Sequence, residues 1–211
     1  MSEENRQSRL RCEQCLRPES HCLCAYIPRI ENRTRVVVLQ HPDEAKHPLN
    51  TARLAVLGLC RAELRVGTVF PDLADMIGAV DVARLLFPTR DGEPEAPLSP
   101  LPSDASALLI VPDGTWRKAR QLVRLNPALQ SLPRVSLPAG DASAYRVRKA
   151  TEVAAVATIE AIERALSVLE PGRDFSPLLA PFHAMVQGQI DAMGEEVYRR
   201  NHAPGSSNIS G

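Results

Sequence analysis

The stretch Ala107-Leu108-Leu109-Ile110-Val111-Pro112-Asp113-Gly114-Thr115-Trp116 decides the fold of this chain. Its first five residues form a short aliphatic run that a proline follows, which predicts a buried strand over 107–111. The spacing of apolar residues from Trp116 to Arg124 predicts a helix directly after it. Asp113 then lies at the carboxyl end of a buried strand, where open α/β sheets bind their ligands. The alternative is that Asp113 caps the helix and Trp116 fills the core.

Strand and helix patterns alternate along the rest of the chain. We predict strands over 35–40, 64–70 and 134–137 and helices over 49–60, 155–169 and 176–200, whereas 73–86 fits neither pattern clearly. This alternation predicts an α/β fold with a mostly parallel sheet and helices on both faces. The proline-rich stretch 88–102 predicts a long surface loop, to which the sequence assigns no role.

The composition fits one domain with appendages and excludes a membrane protein. The chain has 211 residues, 44% of them hydrophobic, which is enough for a substantial core. No apolar run approaches the roughly 20 residues of a membrane helix, and the polar N-terminus lacks a signal peptide, which predicts a cytoplasmic protein. We assign 1–30 to a tail with a cysteine cluster, 31–200 to the main domain and 201–211 to a disordered tail.

Four cysteines near the N-terminus predict a structural metal site. Cys12, Cys15, Cys22 and Cys24 lie within 13 residues, and two close pairs of thiols supply the four soft ligands that zinc prefers. The sequence does not distinguish zinc from iron. Disulfides are not expected in a reducing cytosol, and free thiols are the alternative. His21 is a reserve ligand, whereas Cys60 ends an apolar helix and is expected to pack in the core.

Positive charge is concentrated directly after Asp113, although the chain as a whole has a net charge of zero. Residues 117–149 carry eight basic side chains and one acidic one, whereas residues 36–116 carry six basic and eleven acidic ones. Arg117, Arg120 and Arg124 are spaced so that they share one face of the predicted helix. Such a face fits an anionic partner, and an ordinary solvated helix surface is the alternative.

Several motifs together resemble the DTW-domain family, and the resemblance spans the chain from Cys12 to about Leu169. In chain order they are the cysteine cluster, Leu39-Gln40-His41-Pro42-Asp43-Glu44, Asn50-Thr51-Ala52, Asp113-Gly114-Thr115-Trp116 with Ala119, Tyr145-Arg146-x-Arg148-Lys149, and Thr158-Ile159-Glu160-Ala161. The family takes its name from Asp-x-Thr-Trp. One departure is Ala157, where the family often has Ser or Cys, so that a hydroxyl contact is lost.

The resemblance implies a fold and an activity. The DTW-domain family includes the tRNA-uridine aminocarboxypropyltransferases, which transfer the 3-amino-3-carboxypropyl group of S-adenosylmethionine to N3 of a uridine in tRNA. The family is similar to the SPOUT methyltransferases, which implies a C-terminal trefoil knot that holds the cofactor. The expected partners are therefore S-adenosylmethionine and tRNA, with structural zinc in the cysteine cluster. Whether the protein is a monomer or a homodimer is left open.

The chemistry implied by the resemblance assigns roles to the residues around Asp113. The sulfonium is already activated, but the imide nitrogen is a poor nucleophile while it holds its proton, so a general base is needed. Asp113 is the candidate base, and the alternative is that it holds the α-amino group of the cofactor. Trp116 either walls the cofactor pocket or fills the core, and Thr115 either contacts the cofactor or caps the helix.

Further site residues are expected from the resemblance and from the charge pattern. The other expected cofactor-binding residues are His41, Leu137, Tyr145, Thr158 and Glu160. The expected RNA-binding residues are Arg117, Arg120, Arg124, Arg146, Arg148 and Lys149. For His41 with Glu44, the alternative is a loop that caps the next helix. Two other functions stay open: a SPOUT-type RNA methyltransferase and a non-catalytic RNA-binding zinc protein.

Overall fold

A computed structural model of the chain describes residues 10–45, 47, 49–89, 97–137 and 156–193. Its strands are β1 (Arg35–Gln40), β2 (Ala62–Val66), β3 (Val82–Leu86), β4 (Ala107–Asp113) and β5 (Arg134–Val135). Its α-helices are α1 (Ala52–Gly58), α2 (Leu73–Gly78), α3 (Trp116–Leu125), α4 (Pro127–Gln130), α5 (Thr158–Leu169) and α6 (Ala180–Met193). Short 3-10 helices cover Glu19–His21, Cys24–Tyr26, Pro42–Glu44 and Ser176–Leu179.

The described strands form one sheet in the order β2-β1-β4-β3-β5, and every pairing between them is parallel. The predicted α/β fold with a mostly parallel sheet is therefore confirmed. The implied trefoil knot stays a prediction, because residues 138–155, which join β5 to α5, lie outside the described residues. In the described ranges, none of the helices has the length and apolar character that a membrane crossing requires.

Both faces of the sheet are covered by helices, as the continuous apolar strands predict. Along β1, Val36 and Val38 join the core beneath α1, α5 and α6, whereas Val37 and Leu39 join the core beneath α2, α3 and α4. Side chains alternate between the two faces of a strand, so a strand that is buried on both sides must be apolar throughout. β1 is therefore an interior strand of the sheet, and its neighbour β4 is the central one of the five described strands.

The centre of the sheet contains a topological switch point. β1 and β4 are neighbours, but the chain leaves β1 towards α1 on one face and leaves β4 towards α3 on the other. In this arrangement the two connections diverge and leave a crevice at the carboxyl edge of the sheet, where α/β proteins bind their ligands. Gln40 at the end of β1 is in register with Asp113 at the end of β4.

Several predicted boundaries and one core residue need correction. β4 does not end before Pro112 but continues to Asp113. Proline lacks a backbone N–H, but β3 pairs with β4 only as far as Ile110, so no N–H of residue 112 is needed for that pairing. The expectation that Cys60 packs in the core is wrong. α1 ends at Gly58, and the partly exposed Cys60 thiol donates a hydrogen bond to Glu31 Oε1 at 3.1 Å.

The other differences concern the lengths of elements. The predicted helix over 49–60 is the shorter α1, and the predicted strand over 64–70 is β2, which starts and ends earlier. The ambiguous stretch 73–86 contains α2 and β3. The final predicted helix begins as the 3-10 turn Ser176–Leu179 and continues as α6, while residues 194–200 lie outside the described residues.

Candidate active site

Asp113 lies at the centre of the crevice with its carboxylate almost completely buried. The residue is 9% exposed, and each carboxylate oxygen accepts one hydrogen bond. Gln40 donates through Nε2 to Oδ2 at 2.8 Å, and the Thr158 hydroxyl donates to Oδ1. The three side chains come from the end of β1, the end of β4 and the start of α5. Elements that are far apart in sequence therefore converge on one carboxylate.

Burial raises the pKa of Asp113 above the ordinary value of an aspartate, because the apolar surroundings disfavour the charged form. The negative charge of Glu44 raises the pKa further, and the hydrogen bonds from Thr158 and Gln40 oppose the effect by stabilising the carboxylate. A carboxylate with these opposing influences is suited to accept a proton, since a general base works best when its pKa approaches the working pH.

Gln40 belongs to the segment 39–44 that resembles the family, but it is not among the predicted site residues. Its side chain is 1% exposed, and it directs an amide donor at Asp113. Its sequence signal is a polar residue at the end of β1, directly after the apolar run 36–39. A buried amide needs a partner, so this residue had to face a polar group at the carboxyl edge of the sheet.

The loop after β1 is clamped to the start of α3 by backbone and charged contacts. The His41 N–H donates to the Asp113 carbonyl at 3.0 Å. The Lys118 ammonium lies 2.9 Å from Glu44 Oε1 and 3.3 Å from Asp43 Oδ2. His41 Nδ1 accepts from the Asp43 N–H and caps Pro42–Glu44, which is the alternative that the sequence left open. His41 and Glu44 nevertheless stand beside the backbone of Asp113 and the first turn of α3.

The turn between Asp113 and α3 brings the backbone of Gly114 so close to its neighbours that a larger residue would be crowded. A Cβ atom at Gly114 would lie 3.0 Å from Lys118 Cβ and 3.6 Å from His41 Cβ. Thr115 is the N-cap of α3, and its hydroxyl accepts from the Lys118 N–H at 3.4 Å. The capping role of Thr115 is therefore present in the structure, and its contact with a cofactor stays a prediction.

Trp116 does not fill the core, which excludes that alternative. Its side chain is 39% exposed at the first turn of α3, and its ring centroid lies 6.0 Å from that of Phe87. Phe87 follows β3 directly and is itself packed against the Arg134 guanidinium at 5.7 Å. The indole is thus held against the carboxyl edge of the sheet with part of its surface open to a ligand.

The remaining expected cofactor residues fall into three groups. Glu160 is buried and accepts the Ala157 N–H at 2.8 Å, so it caps the start of α5 at Ala157, the residue before Thr158. Leu137 is half-buried beyond the end of β5 and packs against the core on the α5 side of the sheet. Tyr145, together with the expected RNA-binding residues Arg146, Arg148 and Lys149, lies outside the described residues.

The four N-terminal cysteines form one cluster, as predicted. Their sulfur atoms all lie within 4.8 Å of one another, with 3.4 Å from Cys12 to Cys24 and 3.8 Å from Cys15 to Cys22. A tetrahedral zinc–thiolate site has sulfur atoms about 3.8 Å apart, given Zn–S bonds of about 2.3 Å, so the thiols fit this metal. The His21 ring is not part of the cluster, and its Nδ1 lies 2.9 Å from the Ser20 hydroxyl.

The thiols of this cluster differ in their affinity for protons. Hydrogen bonds from the backbone of Cys15 and Gln14 lower the pKa of Cys12 to about 6. Burial and the neighbouring thiols raise the pKa of Cys24 to about 12. Four thiols this close cannot all lose their protons easily, because the resulting thiolates repel one another. A metal cation between them would remove this repulsion and stabilise the thiolates.

The exposed face of α3 carries the predicted row of arginines. Arg117, Arg120 and Arg124 are exposed, and together with Gln121 they line a shallow cleft of about 430 Å³. The opposite face of the helix, which includes Ala119 and Leu122, is buried against the sheet. The expectation that these arginines share one face is therefore confirmed.

Comparisons with known proteins agree with the motif order. A family model described as the DTW domain matches residues 9–190. The chain is 33% identical to tRNA-uridine aminocarboxypropyltransferase 2 of Drosophila melanogaster, over 87% of this chain and 76% of that protein. It is 28% identical to the mouse protein of the same name, over 89% and 66%, and 27% identical to tRNA-uridine aminocarboxypropyltransferase A of Arabidopsis thaliana, over 76% and 72%. No solved structure matches.

Proposed function

Because the chain belongs to the DTW-domain family, we propose that it transfers the 3-amino-3-carboxypropyl group of S-adenosylmethionine to N3 of a uridine in tRNA. The observation that carries the proposal is the similarity to three proteins named as tRNA-uridine aminocarboxypropyltransferases over most of this chain. The buried carboxylate of Asp113 at the switch point supplies the group that such a reaction needs.

The reaction consists of one displacement with one proton transfer. Asp113 accepts the N3 proton of uridine as the N3 lone pair attacks the sulfur-bound carbon of the aminocarboxypropyl arm. The bond from that carbon to sulfur breaks, and its electron pair stays on sulfur, which neutralises the sulfonium and releases methylthioadenosine. Holding both reactants in line supplies much of the rate, because all the carbons on the sulfonium are electrophilic and only the aligned one reacts.

Trp116 is proposed to bind the sulfonium side of the cosubstrate. The partly exposed indole stands three residues after a buried carboxylate, and an aromatic face next to a negative charge suits a cationic sulfur. Leu137 and Thr158 lie at the same edge of the sheet and are proposed to complete the pocket with Tyr145. Thr115, His41 and Glu160 are proposed to act on this pocket through the turns that they cap.

The proposed function is tested by mass spectrometry after incubation with S-adenosylmethionine and unmodified tRNA. Methylthioadenosine, together with an aminocarboxypropyl mass gain on uridine, is the expected result. S-adenosylhomocysteine with a methylated nucleotide would identify a methyltransferase, in which the cosubstrate binds with its methyl group towards the RNA. Neither product, with tRNA still bound, would identify a binding protein and overturn the proposal.

The ion pairs around Glu44 predict opposite pH shifts for two substitutions. Activity requires the ionised form of Asp113, so it falls as the pH drops through the pKa of this group. Glu44→Gln removes a negative charge that raises this pKa, and we expect the acid limb of the kcat/KM profile to move to lower pH. Lys118→Met removes the cation that neutralises Glu44 and Asp43, and we expect the limb to move to higher pH.

A pair of controls separates electrostatics from loosening of the loop. His41 and Asp43 also carry ionisable side chains on this loop, so His41→Gln and Asp43→Asn are included to separate their effects from that of Glu44. If the contacts of Lys118 act only by holding the loop, Glu44→Gln and Lys118→Met both lower kcat without moving the acid limb of the pH profile. Shifts of the same sign in the two variants would contradict the prediction.

A further inference from the structure

We propose that the exposed face of α3 formed by Arg117, Arg120, Gln121 and Arg124, here called the arginine face, binds the phosphate backbone of tRNA and directs it to Asp113. The inference rests on the proposed function, because tRNA is the polyanion that this function requires. It adds the surface on which the substrate lies and the direction from which it enters the crevice.

The arginines of this face are free of the contacts that occupy charged groups elsewhere on the molecule. Among the residues that the structure describes, no carboxylate lies within salt-bridge distance of the guanidinium groups of Arg117, Arg120 or Arg124, and no protein acceptor binds them. By contrast, Lys118, on the neighbouring side of the same helix, is held by two carboxylates. Unpaired cations that project together from a rigid helix form a surface to which an anion binds without breaking internal ion pairs.

The residue types favour phosphate groups over carboxylates of a protein partner. A guanidinium donates two parallel hydrogen bonds and stays charged at every accessible pH, which suits phosphate oxygens. Gln121 lies in the same cleft and can both donate and accept, as contacts with a ribose hydroxyl require. From Arg117 to Arg124 the helix rises about 10 Å, so the face is long enough to follow a strand rather than to bind one ion.

The direction of α3 connects this surface with the chemistry. The helix begins at Trp116, three residues after Asp113, and Arg117 is on its first turn. A strand that lies along Arg124, Arg120 and Arg117 in that order therefore arrives at the carboxyl edge of the sheet beside the partly exposed Trp116. The net charge of the whole chain is zero, so the face is a local concentration of charge rather than part of a basic protein.

The test measures tRNA affinity and its salt dependence in the full chain. The double variant Arg120→Gln and Arg124→Gln removes two charges and keeps residues that favour a helix. We expect tRNA to bind about 100-fold more weakly at low salt. The slope of log Kd against log salt concentration is expected to fall by about 1.5, because fewer counterions are released. KM for tRNA rises accordingly, whereas the affinity for S-adenosylmethionine is unchanged.

Arg61→Gln is the matched control. Arg61 is exposed and precedes β2, so it lies at the amino edge of the sheet, opposite the crevice. Its substitution is expected to leave affinity and slope at wild-type values. The pair Arg120→Lys and Arg124→Lys keeps the charge and is expected to restore the salt slope and most of the affinity. Equal thermal midpoints for all these variants show that they are folded.

The outcomes distinguish this inference from the proposed function. The arginine face is not the binding surface if the double Gln variant binds tRNA as wild type does, or if Arg61→Gln weakens binding as much as the double variant. This conclusion holds even when aminocarboxypropyl-modified uridine is formed. If binding depends on the arginine face but neither methylthioadenosine nor modified uridine appears, the surface stands and the transferase proposal fails. The inference is also overturned if anionic vesicles or an acidic peptide compete with tRNA binding as strongly as a second RNA does. That result would identify a general anion-binding surface.

Discussion

Asp113→Asn is expected to reduce aminocarboxypropyl transfer about 10²- to 10⁴-fold, which is the usual contribution of a general base. An amide has no affinity for the N3 proton, so the uridine nitrogen remains a poor nucleophile. Single-turnover rates with saturating S-adenosylmethionine and tRNA measure this loss directly. The dissociation constant of S-adenosylmethionine, measured by calorimetry, is expected to stay within about threefold of the wild-type value.

The hydrogen bonds around Asp113 explain why the variant should fold. An asparagine can accept the Gln40 amide with its oxygen and donate its own amide to the Thr158 hydroxyl, which turns to accept. The raised pKa of Asp113 means that the ionised carboxylate destabilises the folded state, with a penalty that grows as pH rises through the range above the ordinary aspartate pKa. The variant is therefore expected to unfold at or above the wild-type temperature at neutral pH.

Two further variants identify the role of this carboxylate. Asp104→Asn changes an exposed aspartate that precedes β4, at the opposite edge of the sheet, and is expected to leave the rate unchanged. If Asp113 instead holds the α-amino group of the cosubstrate, Asp113→Asn weakens S-adenosylmethionine binding and lowers the rate mainly at subsaturating concentration. Near-normal turnover by Asp113→Asn at saturation would exclude Asp113 as the base.

The place of Asp113 could be predicted because it depends on local sequence. A five-residue aliphatic run, a turn with glycine and a helical pattern follow one another in 107–124, and this order alone puts an acid at the carboxyl end of a buried strand. The cysteine cluster was predictable for the same reason, since its ligands lie within one short segment. Local spacing thus predicted the group that is proposed to react and the group that is proposed to bind metal.

The partners of Asp113 could not be predicted from spacing, because they depend on contacts between distant segments. Gln40 faces Asp113 only because β1 and β4 are neighbours in register, and the chain places two strands between them in sequence. Likewise, the exposure of Trp116 depends on where Phe87, the residue after β3, packs against its ring. A large apolar side chain on a short helix has no sequence signal that separates a core position from a ligand-binding one.

We propose that the cysteine cluster binds a structural metal, and we expect its removal to lower the thermal midpoint by about 10 °C, because loss of such a metal costs several kcal/mol of stability. Cys15 and Leu23 of this segment are buried in the same core as Phe182 and Val186 of α6. We therefore expect a metal bound by this cluster to stabilise the packing of the N-terminal segment on the last helix. Metal analysis and calorimetry, before and after treatment with a strong chelator, measure the effect.

Cys15→Ser provides the genetic form of this experiment, and Cys60→Ser is its matched control. Cys15 belongs to the cluster, whereas Cys60 is the one cysteine outside it and donates to Glu31. We expect Cys15→Ser to lose the metal and to unfold near the temperature of the chelated protein, and Cys60→Ser to keep one metal ion per chain and the wild-type midpoint. Equal midpoints for the two variants would show that the cluster binds no stabilising metal.

The position of the cluster also predicts what metal removal leaves intact. Its buried residues pack beside α6, whereas Asp113 is reached from β1, β4 and the first turn of α5. Below the lowered unfolding temperature, we expect the chelated protein to keep its single-turnover rate at saturating substrates. A metal held by all four thiolates would have no open coordination position for a substrate, so we expect it to take no part in the reaction. A rate that falls in proportion to metal loss, while the protein stays folded, would contradict this expectation.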